Sequence, residues 1–234
     1  MSLAAGDITD LVGLGAPILC VDTCTILDVM RDITRESIKI HDVKAGLALL
    51  ASAETRKDLV VLVANQVMAE LDVHLTEIEQ EAATKLTRFR VQAQRIHDIA
   101  TEFGASGALQ TQHLHGHVVR ARAALDRWVA VAKPAPGNDG ITARAFARVN
   151  APRTPARKGK DSMKDCVVVE TYLEAAQELR TAGLTAPIVF ASSNTNEYYV
   201  SAGSHLSSDI AADFLAVRMN YAPNFGAAKH NMGL

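Results

Sequence analysis

The chain has 234 residues, 48% of them hydrophobic and 21% charged, and its net charge is −2. This composition is typical of a globular protein with a sizeable core, and the near-neutral charge argues against a uniformly basic nucleic-acid-binding protein. No apolar run approaches the roughly 18 residues of a membrane span. The first basic residue is Arg31, so the basic region of a signal peptide is missing. Three cysteines without a CxxC pair predict a reduced, cytoplasmic protein.

The first predicted strand ends in an aspartate. Residues 17–21 form a short apolar run after a glycine, which is typical of a buried strand, and a helix is predicted to follow with Thr23 as its N-cap. Asp22 therefore lies at the carboxyl end of a strand, where open α/β sheets form their sites and where a carboxylate can hold a hard cation. On this pattern alone, a role for Asp22 as a helix cap is an equally good interpretation.

A second strand–helix unit follows. Residues 41–54 predict a helix, and the β-branched run at 59–63 predicts a second parallel strand. Asn65 stands at an N-cap position, and Glu70 lies about one turn into the helix that begins there. The spacing alone does not decide whether Glu70 faces Asp22 or water.

A long helical stripe predicts an insertion into this α/β core. Between residues 65 and 103 there is no Gly or Pro, and apolar residues recur at spacings of three and four. A glycine-containing break at 104–107 precedes a second predicted helix at 113–132, with Trp128 on its buried face. We therefore expect an inserted antiparallel helical hairpin over 76–133.

The next segment, 134–161, is predicted to be a basic loop. Between Arg144 and Lys164 the chain has seven basic residues and one acidic residue. Such a segment either is a solvated polar loop or follows a phosphate backbone.

The last third of the chain returns to strand–helix alternation. Asp165 lies in the first turn of a helix predicted at 162–180, and a third strand is predicted at 187–191. Asn194 and Glu197 leave that strand at its carboxyl end. A helix at 206–217 and an edge strand at 217–221 complete the prediction. The alternation indicates a three-layer α/β/α fold with a small parallel sheet of four to five strands.

The order of these motifs resembles the PIN domain family of metal-dependent nucleases. The resemblance covers roughly 17–75 and 160–222, with the hairpin and the basic segment between them. It is carried by Asp22-Thr23 after strand one, Glu70 on the helix after strand two, Lys164-Asp165-Cys166 at the start of a helix, and Phe190-x-x-x-Asn194-x-x-Glu197-Tyr198 after strand three.

The resemblance implies a set of site residues. Asp22, Glu70 and Asp165 are similar to the family's three metal-binding acids and are expected to hold Mg²⁺ or Mn²⁺, which take oxygen ligands. Asn194 and Glu197 are expected to complete the catalytic set. Asn194 occupies a position that the family commonly fills with aspartate, and an amide oxygen is a weaker ligand than a carboxylate.

The function that the resemblance implies is an endonucleolytic ribonuclease acting on single-stranded RNA. A cation in the acidic crevice would polarise the phosphate and lower the pKa of a bound water. The RNA-binding residues would be Arg153, Lys158, Lys160 and Lys164, at the rim of that crevice. The alternative is a catalytically weak or inactive nucleic-acid-binding or scaffold protein on the same fold, which Asn194 favours. The family is also compatible with a toxin role, with an antitoxin protein as partner, and the hairpin with a homodimer.

Overall fold

A five-stranded, all-parallel sheet lies at the centre of the computed structural model, which describes residues 2–55, 57–200 and 203–234. Its strands β1 to β5 are Ile18–Val21, Val60–Ala64, Lys133–Ala135, Ile188–Ala191 and Met219–Ala222. Strands β1, β2 and β4 are buried along their whole length, as expected for a parallel sheet covered on both faces. The predicted fold class is confirmed.

The described part of the chain also contains ten α-helices and one short 3₁₀ helix, Gln112–Leu114. Helices α1 to α10 are Ala5–Leu14, Thr23–Leu27, Ile40–Glu54, Asn65–Glu102, His117–Val131, Asp139–Asn150, Met163–Thr181, Thr195–Tyr198, Ser208–Ala216 and Phe225–Met232. Helix α7 packs on β2 and β3 and against α6, whereas α10 packs on β4 and β5 and against α3. Within the described ranges, no helix combines the length and apolarity needed to cross a membrane.

The strand order β3-β2-β1-β4-β5 contains one topological switch point. From β1 the chain adds β2 and β3 on one side, and it then returns to place β4 on the other side of β1. Open α/β sheets bind their ligands outside the carboxyl ends of the strands at such a point. The residues that follow β1 and β4 therefore lie where a fold of this kind binds its ligand.

Tyr172 of α7 holds the β1–β2 pair at this edge. The last paired residues of the two strands are Cys20 and Leu62. Beyond them, the Tyr172 hydroxyl donates to the carbonyl of Val21 at 2.7 Å and accepts from the backbone N–H of Ala64 at 3.0 Å. The buried hydroxyl thus satisfies backbone groups that the diverging strands leave unpaired.

The prediction of a basic loop over 134–161 is wrong for 134–150, whereas 151–161 consists of turns and loop. Lys133–Ala135 forms strand β3 at the edge of the sheet, and Asp139–Asn150 forms helix α6. Pro134 indicated a loop in the sequence, but an edge strand tolerates proline because one side of its backbone has no strand partner. The Asn138 side chain accepts a hydrogen bond from the N–H of Ile141 at 2.9 Å, so it caps α6.

The predicted helical hairpin is built from α4 and α5, and it is continuous with the core. Helix α4 runs for 38 residues directly from the end of β2. Arg122 of α5 pairs with Glu79 in the first half of α4, and Arg90, further along α4, contacts His115 just before α5. The two helices are therefore antiparallel, as predicted. Helix α1 was not predicted, because residues 1–16 lack a clear apolar period.

Candidate active site

Asp22 is both a helix cap and a member of a polar cluster. It is the N-cap of α2, which corrects the prediction that Thr23 has this position. Its Oδ1 accepts from the backbone N–H of Thr23 at 2.8 Å. Its Oδ2 accepts from the hydroxyl of Ser192 at 2.6 Å and from the thiol of Cys24 at 3.1 Å. The side chain is buried, at 8% exposure, and burial raises its pKa.

Glu70 lies on the first turns of α4 and is tied to α2. Its Oε2 accepts from the hydroxyl of Thr23 at 2.6 Å, and its Oε1 accepts from the side-chain amide of Gln66 at 3.0 Å. The structure therefore settles the orientation that spacing left open, because Glu70 faces the end of β1. Thr23 connects the two acids, since its N–H contacts Asp22 and its hydroxyl contacts Glu70.

Asp165 lies in the first turn of α7, where the charges of the other acids affect its pKa. Its pKa is raised to about 7, chiefly by burial and then by the negative charges of Glu197, Asp22 and Glu70, in that order of effect. Among the described residues, its carboxylate accepts no hydrogen bond. A carboxylate with like-charged neighbours and no donor is a group that a cation would stabilise.

The predicted acids share one cavity. It has a volume of about 250 Å³ and lies at the carboxyl ends of β1 and β4, where Asp22, Glu70, Asp165 and Asn194 line it together. Sequence analysis did not identify two other polar lining residues, Arg31 and His74. His74 follows Glu70 by four residues on one helix, a spacing that puts both on one face and could have indicated it.

Glu197 lies beside this cavity without lining it. Burial raises the pKa of its carboxyl, whereas a hydrogen bond from the Asn194 side chain lowers it. Asp22 raises this pKa and the nearby cations Lys160 and Arg157 lower it. Glu197 and Asn194 are therefore paired with each other, and Asn194 alone of the two reaches the cavity.

The acids do not form a ready ligand set. Across the described ranges, no three His, Cys, Asp or Glu side chains are arranged to hold a metal ion. A neighbouring charge shifts a pKa over distances longer than a metal–ligand bond. The carboxylates near Asp165 can therefore raise its pKa without lying close enough to bind the same ion. The donor chemistry nevertheless fits a hard cation, because the oxygens are carboxylate and amide oxygens and Mg²⁺ keeps several waters between itself and protein ligands.

Two residues beside Asp22 gain roles that the sequence did not assign. Ser192 is fully buried at the end of β4, and its short hydrogen bond fixes one Asp22 oxygen. Cys24 also donates to Asp22, and burial together with the Asp22 charge raises its thiol pKa to about 12. Cys24 is thus a protonated donor at neutral pH and not a nucleophile.

Part of the predicted RNA-binding segment has structural partners. Arg148, 4% exposed, is bonded to Glu170 and Asp213, and Arg144 is bonded to Glu170 and Glu174. Arg153, one of the predicted RNA contacts, pairs with Asp213 at 2.8 Å. These arginines fasten α6 and its C-terminal turn to α7 and α9.

The remaining predicted contacts are exposed. Lys158, Lys160 and Lys164 form no ion pair in the described part of the chain, and all three side chains are accessible to solvent. Lys160 lies close enough to Glu197 to lower its pKa. The structure therefore brings Lys160 close to Glu197 and leaves the three lysines without an acidic partner in the described ranges, whereas Arg153 is held by Asp213.

Comparison of the chain with protein-family models, with curated proteins and with solved structures gives no match in any of the three. The family resemblance stated from the motifs therefore stays a prediction.

Proposed function

We propose that the protein is a metal-dependent phosphodiester hydrolase, an endoribonuclease acting on single-stranded RNA. The observation that carries the proposal is the shared cavity at the switch point of the sheet, lined by Asp22, Glu70, Asp165 and Asn194. Acids from three separate parts of the chain line it, and burial, followed by the charges of the neighbouring acids, raises the pKa of Asp165. A site that concentrates negative charge beside free lysines suits a cation and an anionic substrate.

Asp22, Glu70 and Asp165 would hold Mg²⁺ or Mn²⁺. A bound divalent ion supplies charge for the phosphate and lowers the pKa of a water molecule. The carboxylates have lone pairs left for this task, because a carboxylate offers about four acceptor positions and Asp22 uses three and Glu70 two. Thr23, Ser192 and Cys24 would keep two of the acids in place.

The remaining polar residues would bind and orient the RNA. Asn194 projects into the cavity with an amide that both donates and accepts, which suits a phosphate oxygen or a water. Arg31 also lines the cavity and carries a permanent positive charge. Lys160, beside Glu197, would attract the strand to this edge.

The test is a cleavage assay on labelled single-stranded RNA and DNA with Mg²⁺, Mn²⁺ or EDTA. Wild-type protein should cut RNA with either metal and not in EDTA. The Asp165→Asn variant should cut RNA at least 100-fold more slowly than wild type. Asp72→Asn is the matched control, because Asp72 is exposed on α4 and does not line the cavity. Undiminished cleavage in EDTA or by Asp165→Asn contradicts the proposal.

A second candidate is a nucleic-acid-binding protein that does not cleave. It is favoured by Asn194 and by the absence, within the described residues, of three metal ligands in coordinating positions. Salt-sensitive RNA binding without metal-dependent cleavage would identify it, because phosphate contacts release counterions whether or not chemistry follows.

The proposal includes a reducing, cytoplasmic setting and protein partners. Cys20, Cys24 and Cys166 are unpaired. A second copy of the chain is proposed to bind the hairpin, where large apolar side chains are exposed on α4 and just beyond it: Val73, Phe89, Val91, Ile96, Ile99 and Phe103. Sedimentation of the protein with and without a candidate antitoxin distinguishes a homodimer from a toxin–antitoxin complex.

A further inference from the structure

A second cavity, larger than the acidic one, lies on the other side of α2. Its volume is about 450 Å³, within the range of about 300–1,000 Å³ typical of small-molecule sites. It is enclosed by the turns after α2, by α3 and α5, and by the start of α10. The proposed mechanism uses none of its interior.

The interior is apolar and aromatic but contains unsatisfied polar groups. Trp128 lines the cavity, is 1% exposed and stacks on Phe225 with ring centroids 5.1 Å apart. Its indole Nε1 is buried and has no hydrogen-bond partner among the described residues, and the same holds for Nε2 of His117, another lining residue. Oδ1 of Asp42, a third lining residue, is likewise buried without a hydrogen-bond partner in the described ranges. Buried polar groups are nearly always paired, so these three atoms indicate a ligand with complementary hydrogen-bonding groups.

The rim of the cavity is positively charged. It carries four basic side chains, Arg31, Arg35, Lys39 and Arg120, and two acidic ones, Asp28 and Asp42. Asp28 Oδ1 accepts from both Arg31 and Arg35, at 3.1 and 3.2 Å. In the described ranges neither Lys39 nor Arg120 has an acidic partner. The rim therefore retains net positive charge for an anionic group.

The two cavities share a wall. Arg31 lines both of them. Ser193 lines the larger one and follows Ser192, which binds Asp22, and its N–H donates to the hydroxyl of Thr25 at 2.8 Å. A ligand in the larger cavity thus lies next to the acidic site, separated from it by the single turn of α2.

We propose that the larger cavity binds one nucleotide, with its base enclosed near Trp128 and His117 and its phosphate at the basic rim. A base has the flat apolar faces that the interior suits, and its edge atoms supply the missing partners. The phosphate matches the charge of the rim. The assignment to RNA rests on the proposed function, because the nucleotide would then belong to the strand whose neighbouring phosphate enters the acidic cavity. A free nucleotide has the same chemistry.

The fluorescence of Trp128 tests the proposal directly, because it is the only tryptophan in the chain. Titrations in EDTA with the four nucleoside monophosphates, the matching nucleosides, inorganic phosphate and a short single-stranded RNA separate binding from cleavage. At least one monophosphate should change the fluorescence saturably, with its nucleoside at least tenfold weaker. A response to RNA but to no monophosphate assigns the site to a strand. The absence of a saturable response to any nucleotide or RNA overturns the proposal.

Two pairs of variants locate the response. Ala124→Leu fills the cavity and should abolish binding, whereas Ala123→Leu, exposed on the same helix and outside the cavity, should bind as wild type. Lys39→Gln should weaken monophosphate binding several-fold, whereas Lys44→Gln, exposed on α3 and outside the cavity, should not. Equal binding by Ala124→Leu and wild type, or equal losses within the lysine pair, contradicts the proposal.

Asp165→Asn separates this inference from the nuclease proposal. Asp165 does not line the larger cavity, so the variant should bind nucleotide as wild type does even when cleavage is lost. Nucleotide binding by a protein that cleaves nothing would leave the inference standing and refute the nuclease. RNA cleavage without any fluorescence response to nucleotide would support the nuclease proposal and refute the nucleotide site.

Discussion

Arg148 and Glu170 form a buried ion pair between α6 and α7. The Arg148 guanidinium donates through Nε and Nη2 to one Glu170 oxygen, at 2.8 and 2.6 Å, and the two side chains are 3% and 8% exposed. Arg148 also binds Asp213 of α9 at 2.8 Å. A residue counted in the sequence among the charges of a loop is thus the junction of three helices.

Replacing Arg148 should destabilise the fold. Arg148→Ala removes the buried one of the two arginines that bind Glu170 and leaves only Arg144, whose side chain is 46% exposed, so it should cost up to about 3–5 kcal/mol in the free energy of unfolding. Urea unfolding measures the change, with Arg95→Ala, exposed on α4, as a control expected within about 0.5 kcal/mol of wild type. A stable Arg148→Ala protein that has lost RNA affinity would instead assign Arg148 to RNA binding.

Removing the Tyr172 hydroxyl should lower the free energy of unfolding. Tyr172→Phe leaves the N–H of Ala64 and the carbonyl of Val21 without their partner, at a cost of about 1–3 kcal/mol. Tyr199→Phe is the control, since no hydrogen bond of the Tyr199 hydroxyl is found in the described part of the chain. Equal unfolding free energies for wild type and Tyr172→Phe would show that water replaces the hydroxyl.

Stability without metal should fall between about pH 4 and pH 7. Asp165 has a folded pKa of about 7 and an unfolded pKa near 3.9, so the folded protein binds more protons in this interval. Its contribution to stability is present at low pH and is lost as the pH rises through 7. After allowance for solvent screening, this amounts to about 1–3 kcal/mol. Thermal unfolding in EDTA should show a shallower slope for Asp165→Asn, and identical slopes would contradict the assignment.

Divalent metal should raise the unfolding temperature. An ion that binds only the folded state at 100 times its Kd adds about 2.7 kcal/mol, or about 5–10 °C for a chain of this size. Differential scanning calorimetry with Mg²⁺, Mn²⁺ and EDTA measures the shift. Asp22→Asn and Asp165→Asn should lose it and Asp72→Asn should keep it. A shift retained by both site variants would place the metal elsewhere.

The exposed lysines should carry the salt dependence of RNA binding. Each phosphate contact on a single strand contributes about 0.7 to the slope of log K against log salt. Lys158→Gln and Lys160→Gln should each reduce the slope by about that amount, and Lys57→Gln, exposed on another face, should not. A larger loss for Arg153→Gln than for the lysines would mean that Arg153 leaves Asp213 to bind RNA.

The local sequence pattern was sufficient to predict the strands at the centre of the sheet. Apolar runs ending in Val21 and Ala191 mark buried strands, and the chain order of strands and helices predicts a common edge for Asp22 and Asn194. The edge strand at Lys133–Ala135 was not predicted because three residues that include a proline are too few to show the alternating pattern of a strand. Helix α6 was not predicted because its arginines were interpreted as solvent-exposed, whereas the fold pairs them with Glu170 and Asp213.

The site was predictable in its acids and not in its donors. Asp22 could be proposed from its place at the end of a strand, whereas the set of Asp22, Glu70 and Asp165 was implied by the family resemblance. Ser192 and Thr23 are common residues whose role depends on distances across 47 to 170 positions of the chain. No sequence motif marks the larger cavity, because its walls come from four separate stretches of the chain: 25–47, 117–128, 193 and 223–225.

Helix α4 has one further consequence for the behaviour of the molecule. Its 38 residues make a continuous rod of about 57 Å, with Glu70 near one tip and the exposed Phe103 just beyond the other. The 33 residues between Glu70 and Phe103 correspond to about 50 Å of helix, so a partner bound at the distal tip would leave the mouth of the acidic cavity open to substrate.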